Sequence, residues 1–287
     1  MLTVFARYLD GGFTIAQQVY LRTSAAFVIT VVVFARLIRW RLVTSIRARE
    51  WAVLTIRAVL IYVLGTTLFA EAATVSTVAD VSFIAALPLV PALGLLLGRV
   101  RATRTGVGSI AGSAVGAAIL SGGGFDVAGA WNRGNLIALL AVIALSIGYL
   151  GRDWHDGTLN NYEITTFTVG FGVIGVASAS ALGGEGIPHV SDSPAILWAA
   201  VGVAGILNAL NVYLVNYGFE HVDAVRGGNL LTVECVWGLL FGVLFYRQIP
   251  TPTGILGGSL IVACAIGLNV ASGPRPPPGE RDPDGAG

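Results

Sequence analysis

Nine apolar stretches follow one another along the chain, at about 14–37, 50–70, 76–98, 104–121, 133–151, 162–183, 194–217, 224–246 and 251–271. A helix needs roughly 20 mostly apolar residues to cross a hydrocarbon core about 30 Å thick, because each residue rises about 1.5 Å. A water-soluble domain would have to cover itself with charge. Charged residues are only 11% of this chain, against about 25% in an average soluble domain. The pattern predicts an all-α polytopic membrane protein with about nine complete spans and the lipid bilayer as its solvent. A formal net charge of +1 leaves no electrostatic footprint for nucleic acid.

Arginine in the short loops sets the orientation. Arg36, Arg39, Arg41, Arg47 and Arg49 follow the first stretch, and Arg99, Arg101 and Arg104 lie between the third and fourth. Two spans separate these loops, so both are expected on the cytoplasmic side of the cell (inner) membrane. The C-terminus then also falls in the cytoplasm and the N-terminus outside. Residues 272–287 are rich in Pro, Gly and charge and are expected to be disordered. Cys235 and Cys264 sit in apolar stretches and imply neither a disulfide framework nor a metal site.

The chain repeats itself. LLLGRVRATRTGVGSIAG resembles GVLFYRQIPTPTGILGG, with Arg99 matching Arg247 and Gly106 matching Gly254 at an offset of 148. The repeat divides the chain into a first half at 1–121, a linker at 122–132 and a second half at 133–271. With nominally five helices each, an odd number, the halves insert in opposite orientations. Inverted repeats of this kind are the mark of many secondary transporters. The second half supplies five stretches and the first only four. The opening MLTVFARYLDGG reads as the exit from a first helix whose body is mostly absent.

On these features the chain resembles the drug/metabolite transporter superfamily, in its EamA-type branch of two five-helix repeats. The resemblance runs from about residue 8 to 271. It is carried by Arg22 in QQVYLR, by Pro88 and Pro91 in ALPLVPALGLLLG, and by a turn and Gly-rich helix closing each half. The family commonly ends the fourth helix of each repeat in Gly-Glu. Here those positions read Gly98-Arg99 and Tyr246-Arg247, and Val236 stands in the second half where Pro88 stands in the first. The resemblance implies export of a small metabolite or drug-like solute.

An ionisable side chain at mid-membrane costs about 2.5–3.5 kcal/mol on insertion scales, so it needs a partner, a wet cavity or a role. Glu234, near the middle of 224–246, is the candidate coupling carboxylate, with Trp237 one turn away. Its other reading is a structural carboxyl bonded to a neighbouring helix. Arg57 is expected to snorkel to the cytoplasmic interface, with substrate binding as the alternative. Arg22 reads as a contact for an anionic group or a headgroup anchor. Asn208 and Asn211 share a helix face and can bond another helix or hold a polar solute. Gln17 and Tyr20 lie on a similar stripe, and Tyr20, Tyr62, Trp237 and Phe241 suit stacking on a solute. His155, in RDWHDGTLNNYE, is read as part of a solvated cytoplasmic loop. Gly108, Gly112 and Gly116 form a stripe for close helix packing, in the chain or across a homodimer.

No phosphate-cradling GK[ST] loop is present, which weighs against ATP-driven transport by this chain alone. All three histidines lie outside the apolar stretches, which weighs against an intramembrane enzyme. No cofactor is implied. The remaining alternative to a transporter is a non-transporting membrane scaffold or a lipid-handling protein. It predicts polar residues buried in contacts with no cavity.

Overall fold

Thr14 opens the first long helix by a reciprocal cap: its hydroxyl accepts from the Gln17 N–H, and the Gln17 side chain accepts from the Thr14 N–H. Asn160 and Glu163 repeat the device at the start of another, and Asn132 caps a third. In the computed structural model these signals delimit an all-helical chain, with no strand among the described residues. The structure describes residues 2–43, 45–96, 103–122, 132–188, 194–221, 231 and 233–271.

The elements are α1 (Leu2–Leu9), α2 (Ile15–Phe34), α3 (Trp40–Val43), α4 (Ala48–Ala58), a π-helical segment (Val59–Thr66), α5 (Thr67–Val75), α6 (Val78–Ala85), α7 (Leu89–Leu96), α8 (Arg104–Gly122), α9 (Arg133–Leu150), a 3₁₀ turn (Gly151–Trp154), α10 (Asn161–Leu182) and α11 (Ala195–His221). They end with α12 (Val233–Tyr246) and α13 (Pro252–Ala271). Among the described residues, five helices are long and apolar enough to cross a membrane: Ile15–Phe34, Ala48–Val75, Arg133–Trp154, Asn161–Leu182 and Ala195–His221. Large apolar side chains such as Val32, Leu140, Ile174, Ile206 and Leu214 point outward from them. A soluble monomer rarely leaves so much apolar surface exposed; lipid accommodates it.

The opening stub folds as α1, with Ala6 and Leu9 buried and Tyr246 donating from its hydroxyl to the Val4 carbonyl at 2.7 Å. Two departures from the sequence reading have local causes. The stretch 76–98 is broken between α6 and α7, because Pro88 lacks an N–H and pushes its predecessor out of helical geometry. The helix starting at Ala48 runs on to Val75 through the π segment, where Thr66 and Thr67 hydroxyls donate five residues back to the carbonyls of Ile61 and Tyr62.

Gly112 and Gly116 face α13 within the chain. A Cβ at Gly112 would meet Cys264 Sγ, and one at Gly116 would meet the Gly257 carbonyl and Ile261. These two positions of the stripe thus serve packing inside the molecule rather than a homodimer surface. Gly108 has open space beside it. The turns that precede α8 and α13 also correspond: Gly106 N–H donates to Thr103 Oγ1 at 3.1 Å and Gly254 N–H to Thr251 Oγ1 at 3.0 Å.

Polar ties close both ends of the bundle. At the arginine end, Arg39 meets Glu163 with its backbone N–H (2.8 Å), Nε (3.0 Å) and Nη2 (2.8 Å). At the opposite end the Thr14 hydroxyl donates to Glu185 at 2.8 Å and Gln17 Nε2 to the Gly186 carbonyl at 2.7 Å.

Candidate functional site

The middle of the Ala48–Val75 helix is built around Tyr62, in the π segment. Gly172 of α10 lets that helix lie against the Tyr62 ring, and Gly148 of α9 lies against Ile61. A π turn is often found at functional sites; here it carries Ile61, Tyr62 and Thr66 to the wall of a cavity of about 90 Å³. The polar wall consists of Arg22, Tyr62, Thr66, Ser146, Tyr149, Asn208, Asn211 and Asn216, and Ala85, Leu87 and Val90, on both sides of the Pro88 break, belong to its apolar part. That volume holds several waters and is well short of the roughly 300–1,000 Å³ of drug-sized ligand pockets. Among the described residues its wall carries no carboxylate. Asn208 is buried there, with its side chain beside the Tyr62 hydroxyl.

Arg57 does not snorkel. It is 1% exposed and spends its guanidinium inside the bundle. Nε donates to the Gly148 carbonyl (3.1 Å), Nη2 to Asn216 Oδ1 (2.8 Å), and Nη1 meets His155 Nε2 (3.1 Å). His155 is not solvated either: its side chain is fully buried, and Nδ1 lies 2.7 Å from Glu50 Oε2. The other Glu50 oxygen accepts from the Asp156 N–H at 3.0 Å, and Asn216 Nδ2 donates to Thr165 Oγ1 at 3.1 Å. A continuous polar chain therefore runs from Glu50 through His155, Arg57 and Asn216 to the cavity wall. A guanidinium has no acceptor, so His155 Nε2 must accept from Arg57 and Nδ1–H must donate to Glu50. The imidazole is neutral. Burial, then the nearby Arg57 charge, lowers its pKa to about 4 against the opposing pull of Glu50.

The other sequence candidates disperse. Arg22 is 1% exposed and lines the cavity, which rules out a headgroup anchor. Asn208 and Asn211 line it as well. Gln17 does not; its amide is committed to the α2 cap and the Gly186 carbonyl. Tyr20 is half-buried in a packed core cluster. Trp237 is 53% exposed and stacks on Phe241, centroids 5.9 Å apart, on the outer surface rather than in the cavity. The Glu234 side chain lies outside the described residues, as do the 99–102 loop and the C-terminal tail. Asn216, Tyr149, Ser146 and the Glu50–His155 pair went unread in the sequence. Asn216 had a signal, eight residues from Asn208 on the same helix face.

Residues 132–270 match the EamA-like transporter family. The match places that part of the chain in the family, which lies within the drug/metabolite transporter superfamily. A solved crystal structure superposes with a TM-score of 0.67 at 17% identity, covering 94% of each chain, so the chain shares that protein's fold. No curated protein matches the sequence. The matched family is one of membrane transporters of the drug/metabolite type. Among the described residues of the chain no group of three or more His, Cys, Asp or Glu side chains is placed to hold a metal ion.

Proposed function

We propose that the chain moves a small solute, outward from the cell, by alternating access between two inverted halves, residues 1–121 and 133–271, that enclose the central cavity. The observation that carries this reading is the origin of the cavity wall. Arg22, Tyr62, Thr66 and Leu87 come from the first half, and Ser146, Asn208 and Asn216 from the second. A rocking motion of one half against the other opens such a cavity to one side at a time.

The inverted relation is supported at residue level. The Thr103–Gly106 and Thr251–Gly254 turns make the same hydrogen bond 148 residues apart. Gly112 meets Cys264, and moving each residue to its counterpart sets Gly116 against position 260, between Gly257 and Ile261, which Gly116 does approach. That is the reciprocity expected across a pseudo-two-fold axis. On this reading the spans number about nine. The arginine-rich end faces the cytoplasm of the cell membrane, and the C-terminus lies there too.

The scaffold or lipid-handling alternative calls for polar residues buried without a cavity, and the polar cavity favours the transporter. The test is flux in proteoliposomes. A panel of radiolabelled zwitterionic, anionic and cationic solutes is measured for the unaltered chain and for Ser146→Leu, which fills the cavity. At least one solute is expected to move through the unaltered chain and to be lost in the variant. Equal flux in both removes the cavity from the pathway.

A further inference from the structure

We propose that Glu50, His155 and Arg57 form a proton-operated latch that holds the cavity shut at the arginine end. Protonating His155 at Nε2 releases the Arg57 arm of the latch, leaves the Glu50–His155 pair as the pivot, and opens the cavity toward that side. The inference rests on the transporter reading above and adds to it a proton site with named residues.

The latch joins the two halves. Arg57 and Glu50 stand on α4, in the first half. The groups they hold are the Gly148 carbonyl on α9, His155 after the 3₁₀ turn and Asn216 on α11, all in the second half. Asn216 passes the contact on to Thr165 of α10 and itself lines the cavity. For the halves to part at this end, the Arg57 contacts must break.

The hydrogen-bond directions supply the trigger. His155 Nε2 accepts from Arg57, and Nδ1–H donates to Glu50. A proton taken up from water can bond only at Nε2. The new N–H then faces the Arg57 N–H across a gap that was 3.1 Å, donor against donor and cation against cation. Nδ1–H keeps its bond to Glu50, Arg57 keeps its own protons, and the guanidinium must withdraw, releasing Asn216.

Charges of both signs surround His155 and Arg57. From the 3₁₀ turn, Arg152 adds positive charge and is paired with Glu220 of α11 at 3.4 Å. Asp153 acts on Arg57 from the same turn. Asp156 binds Glu50 through its N–H and faces Arg47 at 4.0 Å, Arg49 reaches the Trp154 carbonyl, and Tyr149 of α9 lies near Arg57. Burial and Arg57 hold His155 well below its ordinary range in the closed latch. Water entering an open latch restores that range. Linkage then favours the open form as pH falls below about 6.5, by up to about tenfold per pH unit.

The test uses the full chain in vesicles, with Cys235→Ser and Cys264→Ser and a single reporter, Ser146→Cys, in the cavity wall. A small membrane-impermeant thiosulfonate is added from the arginine end between pH 7.5 and 5. The labelling rate is divided at each pH by that of free cysteine. With His155 present, the corrected rate is expected to climb several-fold below pH 6.5; in His155→Gln it is expected to be flat. A flat profile with His155, or an equal climb without it, overturns the latch. If His155→Gln does not fold, ¹⁵N NMR of the unaltered histidine-labelled chain at pH 7 decides: the Nδ1–H tautomer supports the latch and the Nε2–H tautomer overturns it. Neither readout needs a transported solute. A pH response without any flux would therefore sink the transporter reading and leave the latch standing.

Discussion

Arg57 donates from Nη2 to Asn216 Oδ1 at 2.8 Å, and this bond ties a guanidinium buried on α4 to the cavity wall on α11. A charged donor stripped of its acceptor in a buried site costs the desolvation of that donor, about 2 kcal/mol. Asn216→Leu is therefore expected to lower the melting temperature by several degrees in detergent, and Asn216→Asp, which keeps an acceptor, by less. Equal losses in the two variants would mean that the contact contributes little.

The neutral state of His155 gives stability a pH dependence of definite sign. Its folded-state pKa, about 4, lies below the ordinary value of 6.5, so between those values the unfolded chain binds more protons than the folded one. The contribution is complete above pH 6.5 and is lost as pH falls toward 4. Melting temperature measured from pH 7.5 to 4.5 is expected to fall across this window, and less steeply in His155→Gln. A variant that follows the parent curve would contradict the assignment.

Much of the fold was legible because the bilayer leaves few choices. Apolar length set the helices to within a few residues at most ends, as at Arg104–Gly122 and Asn161–Leu182. What length and hydropathy cannot carry is the rotation of a helix about its axis. Arg57, Trp237 and Gln17 all fit cavity or interface readings by position. Packing sends Arg57 inward, Trp237 outward and Gln17 to a cap. The Glu50–His155 pair was hidden for another reason: its members stand 105 residues apart, and only the docking of the 151–160 segment on α4 brings them together. The reach of the helix beyond residue 70 follows from the π segment, which has no periodic signature in so apolar a run.

Arg247 lies in the left-handed region, with φ 52°, as the residue that ends α12. Its N–H bonds the Val243 carbonyl and the Gln248 N–H the Gly242 carbonyl, a helix ending that favours glycine. Arg247→Gly is expected to raise stability by about 0.5–1 kcal/mol, read as a higher melting temperature. A fall would show that the arginine side chain outweighs its backbone strain.

Gly172 is the point where α10 lies on the Tyr62 ring, and a Cβ there would overlap the ring. Gly172→Ala is expected to cost about 1–3 kcal/mol and to push Tyr62 into the cavity. In flux assays on any solute the unaltered chain carries, transport should fall more than the amount of folded protein. Full transport in a folded Gly172→Ala protein would mean that the Tyr62 wall does not bound the pathway.

Reactivity of one cavity residue from the two sides of the membrane tests alternating access most directly. With both native cysteines replaced by serine, Asn211→Cys is placed in the wall, and an impermeant thiosulfonate is added to one face of sealed, oriented vesicles at a time. Modification from either face, with no leak of the reagent across the vesicle, is the predicted result. Modification from one face alone, or from neither, would contradict it.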